Sequence, residues 1–185
     1  MNPPLPDGSP VCRPRAHRSP LRLTVCVLLL LGILSTMVMI FLFSSESETQ
    51  SGNRSDRVTE KVAPIVVPGY KDLSEERQTQ VVQQLDFPVR KLAHMTEYAL
   101  LAVLTGALLV AWDSKNWRRL HIRWCVPAAF CLLYASSDEF HQIFSHRGAS
   151  VVDVLIDFGG ALIGLCLLWG ISALVRKYHR RHSLN

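Results

Sequence analysis

The chain has 185 residues, of which 49% are hydrophobic and 19% charged, with a formal net charge of +5. The apolar residues are gathered in long blocks and not spread periodically, which excludes an ordinary soluble domain. The positive surplus sits in short segments beside those blocks, so it reads as a topology signal and calls for no nucleic-acid partner.

Residues 1–20 are rich in Pro, Ser and Arg and predict a disordered basic tail. The first apolar block, residues 21–43, has no charge after Arg22 and exceeds the roughly 20 residues that a membrane helix needs. A cleaved signal peptide has a shorter apolar part, about 7–15 residues, followed by small residues. Leu42 and Phe43 stand where small residues would be wanted. The block is therefore expected to remain as an anchor.

Residues 44–90 predict an extracytoplasmic linker with a short surface helix. Ser44 to Arg57 is rich in Ser, Glu and Asn, and Ile65-Val66-Val67 between Pro64 and Pro68 favours an extended piece. Asp72 to Asp86 reads as the surface helix: Asp72 or Ser74 is placed to cap it, Glu75 and Glu76 suit its first turn, and Phe87-Pro88 is expected to end it.

Residues 91–175 predict a three-helix membrane core. Its apolar runs are Leu92 to Trp112, Ile122 to Ser137 (short and interrupted by Pro127) and Val151 to Val175. Residues 176–185 form a second basic tail. Arg13, Arg15, Arg18 and Arg22, then Lys115, Arg118, Arg119 and Arg123, then Arg176, Lys177, Arg180 and Arg181 place three segments on the cytoplasmic side. The expectation is an all-α, multi-pass protein of the cytoplasmic membrane, with four transmembrane helices and both termini cytoplasmic. The five cysteines are Cys12 in the first tail and Cys26, Cys125, Cys131 and Cys166 within helices, which gives no disulfide framework.

Polar groups interrupt the apolar pattern at three places that this topology brings to one outer surface. Lys91, His94 and Tyr98 share a helical stripe, with Glu97 at its edge. Asp138, Glu139 and Gln142 end the third span. Asp153 and Asp157 open the fourth, on a face that continues as Gly160 and Gly164. Ionisable groups at membrane depth are costly and face the bundle interior, paired or functional. One reading has them satisfy one another: Lys91 or Arg147 would pair with Asp138, Glu139, Asp153 or Asp157. The other notes five carboxylates, counting Glu97, against two fixed cations and three histidines, an excess that suits a binding site. Gly160-x-x-x-Gly164, and Ala102-x-x-x-Gly106 on the second span, are patterns that let helix backbones approach closely. His94, His141 and His146 lack the spacing of a helical metal site, and no metal or cofactor is expected.

Arg90-Lys91-x-x-His94-x-x-Glu97-Tyr98, then Asp138-Glu139-x-x-Gln142, then Arg147, and finally Asp153-x-x-x-Asp157-x-x-Gly160-x-x-x-Gly164 resemble the VanZ-like family of bacterial membrane proteins. Phe43-Ser44-Ser45 after the first span extends the likeness, whereas the Arg-rich segment before that span is not part of the pattern. The resemblance implies an integral protein of the cell envelope, in a family whose namesake is associated with raised resistance to teicoplanin.

Two functions stay open from the residues. In one, the outer cluster binds a lipid-linked or cell-wall component, with Lys91 and Arg147 holding an anionic headgroup and Glu97, Tyr98, Gln142, Asp153 and Asp157 as further binding residues. In the other, the protein is a small hydrolase or transferase acting on a lipid headgroup or polyprenyl phosphate, with His94 as acid or base and Glu139 or Asp138 as its partner. Transport ranks below both, because the cytoplasmic halves of the second and fourth spans are almost wholly apolar and a pathway would require an oligomer. The expected partners are the bilayer and that lipid-linked or cell-wall ligand, and a homo-oligomer is compatible with the sequence.

Overall fold

The computed structural model describes residues 20–45, 48–112, 120–144 and 150–182. Among these the chain is all helical: α1 (Pro20–Ser44), α2 (Glu48–Val66), a 3-10 turn (Tyr70–Asp72), α3 (Glu75–Trp112), α4 (Leu120–Phe144) and α5 (Val151–His182). Of the basic residues used above for topology, Arg13, Arg15, Arg18, Lys115, Arg118 and Arg119 lie outside the described residues, as do Cys12, Ser145, His146 and Arg147.

Three helices, α1, α3 and α5, are long and apolar enough to cross a membrane. Their outward surfaces are leucine-rich: Leu28, Leu31, Leu34, Leu155, Leu167 and Leu174 are all exposed. The core is built instead from Ile33, Ile40, Tyr98, Leu101, Ala102, Cys131, Ala135, Ala161, Leu165 and Trp169. Large aliphatic residues turned outward, with glycines and alanines at the helix contacts, is the arrangement expected when the surrounding solvent is lipid.

The α3–α5 seam is the closest in the bundle. A Cβ added to Gly160 would run into the backbone of Met95, and one added to Gly164 into the backbone of Ala99. Both pairs advance by four residues, so α3 and α5 run parallel, one backbone laid against the other. Gly106 of α3 faces Leu168, Leu165 and Trp169 of α5 one step deeper. In the other direction run α1 and α4. Tyr134 donates its hydroxyl hydrogen to the Met37 carbonyl at 2.7 Å, and Ser44 meets Asp138 further along both helices, one turn on in α4 and about two turns on in α1. At the far end of α4, the Arg123 guanidinium lies 4.2 Å from the Trp169 ring centre. Pro127 is fully buried within α4 and does not end it.

The outer segment departs from the sequence reading. Residues 48–66 form a helix where a linker was expected, and that helix includes Pro64, so Ile65 and Val66 are not extended. Ser55, Thr59 and Ala63, at four-residue steps, are its buried face. Packing of that small-residue stripe on α3 outweighs a polar composition that by itself argues against a helix. Gly69, at φ +74°, makes the turn that follows. Gln78 ties it down by donating to the carbonyls of Tyr70 and Leu73.

Phe87-Pro88 likewise does not end the surface helix. From Glu75 to Trp112, α3 is continuous through Pro88. Proline removes one helical hydrogen bond, and the Arg90–Asp86 ion pair at 2.5 Å bridges that same turn. With 38 residues α3 is about 57 Å long, so roughly half of it stands outside a hydrocarbon core about 30 Å thick. At the other end, α5 continues to His182 and takes Arg176, Lys177, Arg180 and Arg181 into its last turns.

Candidate functional site

Four helices converge at one end of the bundle. The C-terminus of α1 brings Ser44, α3 brings Lys91 to Tyr98, the C-terminus of α4 brings Asp138 to Gln142, and the start of α5 brings Asp153 and Asp157. Helical periodicity turns Ser44, Lys91, His94, Tyr98, Asp138, Glu139, Gln142, Asp153 and Asp157 inward, while Leu92 and Phe140 between them face out. Asp138, Glu139, Gln142 and Asp157 are buried, and Lys91, His94, Glu97 and Asp153 are partly so.

Much of the polarity is mutually satisfied. Lys91 Nζ lies 2.5 Å from Asp153 Oδ2, an ion pair joining α3 to α5. Glu139 accepts the Ser150 backbone N–H through Oε2 at 2.9 Å and the Gln142 side-chain amide through Oε1 at 3.0 Å. That fixes the end of α4 to the start of α5. Ser44 donates its hydroxyl hydrogen to Asp138 Oδ2 at 2.7 Å and accepts from Gln142 Nε2 at 2.7 Å. One amide, one hydroxyl and two carboxylates therefore form a single chain across α1 and α4.

Other polar groups lie beside this network. His94 Nδ1 and Glu97 Oε2 are 3.5 Å apart, a contact too long and poorly directed for a hydrogen bond. Tyr98 is completely buried beneath them, its ring 6.2 Å from that of Tyr134, and its hydroxyl has no hydrogen-bond partner. Asp157 is 5% exposed and makes no hydrogen bond or ion pair among the described residues. Burying an uncompensated carboxylate is among the costlier things a fold does.

Arg90, Lys91, His94, Glu139, Gln142, Asp153 and Asp157 together line a narrow cleft of about 10 Å³. Six of these seven were singled out by spacing alone, and Arg90 adds a rim cation already paired with Asp86. Asp138 and Glu97 flank the cleft and do not line it. Arg147, the expected second cation, lies outside the described residues. The residue that spacing missed is Ser44, which sits 94 positions from the carboxylate it binds. Its only sequence signal was the Phe43-Ser44-Ser45 fragment at the end of the first span.

Chemically, the cluster can hold and exchange protons, accept hydrogen bonds from a ligand, or hold a cation. No three His, Cys, Asp or Glu side chains among the described residues are grouped to hold a metal ion.

A model of the VanZ/LLP1 family matches residues 27–175, a stretch that contains every residue of the cluster. No curated protein and no solved structure matches the chain. With three helices apolar enough to cross a bilayer, this is a membrane protein, and it belongs to the VanZ-like family.

Proposed function

We propose that the chain is a four-span protein of the cytoplasmic membrane, with both termini inside, whose outer cluster binds a lipid-linked or cell-wall component. Through that binding it would contribute to glycopeptide (teicoplanin) resistance. The observation that carries this reading is the one-ended convergence of buried polar groups in a bundle that is otherwise apolar. Four crossings are supported by α4, which lies along α1 at Met37 and Ser44 and reaches Trp169 of α5 with Arg123. Contacts near both of its ends with helices that are apolar enough to cross favour a fourth crossing. The basic turns of α5 favour the cytoplasmic side for the opposite end.

The test is teicoplanin susceptibility of a sensitive Gram-positive host expressing the wild type, Lys91→Ala, His94→Gln or Glu139→Gln at matched membrane levels. Protection by the wild type and loss in the three variants is the expected result. Full protection by all three would refute a functional outer cluster.

A second reading, a small membrane hydrolase or transferase, draws on the His94–Glu97 contact at the cleft. An imidazole beside a carboxylate suits proton transfer near neutral pH. Asp153, held by Lys91, and Glu139, held by two donors, are better placed to position than to exchange protons. Turnover of a lipid headgroup by the purified protein, abolished in His94→Gln, would establish this reading, and equal turnover in that variant would refute it.

A further inference from the structure

We propose that the last turns of α5 carry a site for the phosphate of an anionic phospholipid, in the leaflet opposite the polar cluster. The proposal rests on α5 crossing the membrane and is independent of what the polar cluster binds.

Depth comes first. The 19 residues from Asp157 to Arg176 make about 29 Å of helix, close to the roughly 30 Å of a hydrocarbon core. Arg176 and Lys177 therefore stand where the lipid phosphates begin, with Arg180 and Arg181 one turn further out. Because α5 stays helical to His182, these four cations keep a fixed pattern. Steps of four residues set Arg176 beside Arg180 and Lys177 beside Arg181 on one face. Together with Ala173 they line an open depression of about 330 Å³.

Toward the membrane centre the same face continues as Gly170 and Cys166, both exposed. A Cβ added to Gly170 would meet nothing within 4 Å. The neighbouring strip carries the bulky Leu167, Ile171 and Leu174, all exposed. The missing bulk leaves a shallow channel leading from the cations down an apolar surface. That is the outline of a headgroup followed by an acyl chain. The Lys and Arg stems lie along such a chain while their charged ends reach the phosphate.

Charge decides the sign of the ligand. No Asp or Glu follows Asp157 in the sequence. The other two segments beside the spans at this end, residues 1–22 and 113–123, add four Lys or Arg each against Asp7 and Asp113. Two carboxylates cannot neutralise the twelve cations of the three segments, whatever pairs form. Arg123 of α4 is also close enough to Arg176 for their like charges to act on each other. An anion shared by this face relieves that repulsion. Fixing the topology requires only that basic residues flank a span. It does not require them on one face, around a depression and beside a second helix's guanidinium. The interior at this end is already filled by Trp124 and Trp169, so the site lies on the lipid-facing surface.

The experiment is tryptophan fluorescence of the purified full chain in phosphatidylcholine vesicles. The quenchers are phosphatidylglycerol or phosphatidylcholine brominated on the acyl chains. Trp112, Trp124 and Trp169 lie toward this end of the bundle and report on lipid held there. The wild type should prefer the glycerol lipid about tenfold or more. Replacing Arg176, Lys177, Arg180 and Arg181 together by Gln should abolish the preference. Ala173→Leu keeps every charge but fills the depression, and should reduce the preference severalfold. Millimolar glycerol 3-phosphate should leave the quenching unchanged.

Equal quenching by the two lipids, or a preference that survives the four glutamines, would overturn the site. An undiminished preference in Ala173→Leu would reduce it to diffuse attraction by a basic surface and would also overturn it. Reversal of quenching by glycerol 3-phosphate would make the occupant a soluble phosphate and not a lipid. Should the glutamine variant fail to insert, Ala173→Leu decides, because Ala173 is exposed and uncharged. None of these results touches the susceptibility test of the opposite end.

Discussion

The two ends of the bundle are held by different physics. At the basic end, the contacts are apolar and aromatic: Gly106 against Leu168, Trp124 6.4 Å from Trp169, and Arg123 over the same indole. Such packing is locally self-sufficient and leaves little for a ligand to add. At the opposite end the same helices are joined by charged and hydroxyl side chains, most of which satisfy one another. Polar groups cost more than they return in an apolar medium unless fully paired, and here pairing stops short at Asp157 and at the Tyr98 hydroxyl. A bundle that needed only to cross a membrane would have no use for that remainder. The comparison separates what holds the fold from what the fold holds.

The largest effect should come from the seam shared by both ends. Gly164→Leu drives a side chain into the backbone of Ala99 on α3, which cannot move aside as a side chain would. Overpacking of this kind costs about 1–3 kcal/mol or more. The folded fraction after detergent extraction should fall sharply. Gly106→Ala meets only the tip of Leu168 and should cost visibly less in the same assay.

Within the polar end, Ser44→Ala should come next. It strips Asp138 of a donor and Gln142 of an acceptor in a buried setting, at about 1–3 kcal/mol. A lowered melting temperature with reduced protection against teicoplanin is expected; an unchanged melt would show that the Ser44–Asp138 bond contributes nothing. Glu139→Gln should be milder in stability than Ser44→Ala, because the amide oxygen can still accept the Ser150 N–H. The smallest effect is reserved for the lipid-facing side. Leu133, 71% exposed on α4, should be replaceable by Ala without loss of melting temperature or protection.

What the sequence disclosed follows the same division. The three most apolar helices, the glycine seam and the polar stripe were legible because hydropathy blocks and four-residue steps are written locally. The helix over 48–66 was not, because its composition is polar overall and its buried face is Ser55, Thr59 and Ala63, small residues that form no apolar block. Proline was read too strictly at Pro64 and Pro88, where neighbouring packing and the Arg90–Asp86 pair sustain the helix. Ser44 and the pairing pattern were out of reach for a different reason. Which of four carboxylates Lys91 would choose depends on how α3 and α5 sit together, and that geometry emerges only when the glycines have brought them into contact.

The central claim is that the unpaired polarity at the outer end serves binding and not packing. Measuring melting temperature and teicoplanin protection together for Asp157→Asn tests it most directly. A structural carboxylate loses stability when neutralised, whereas a buried one kept for function does not. The account predicts a melting temperature at or above that of the wild type, with protection lost. A lowered melting temperature with protection retained would contradict it.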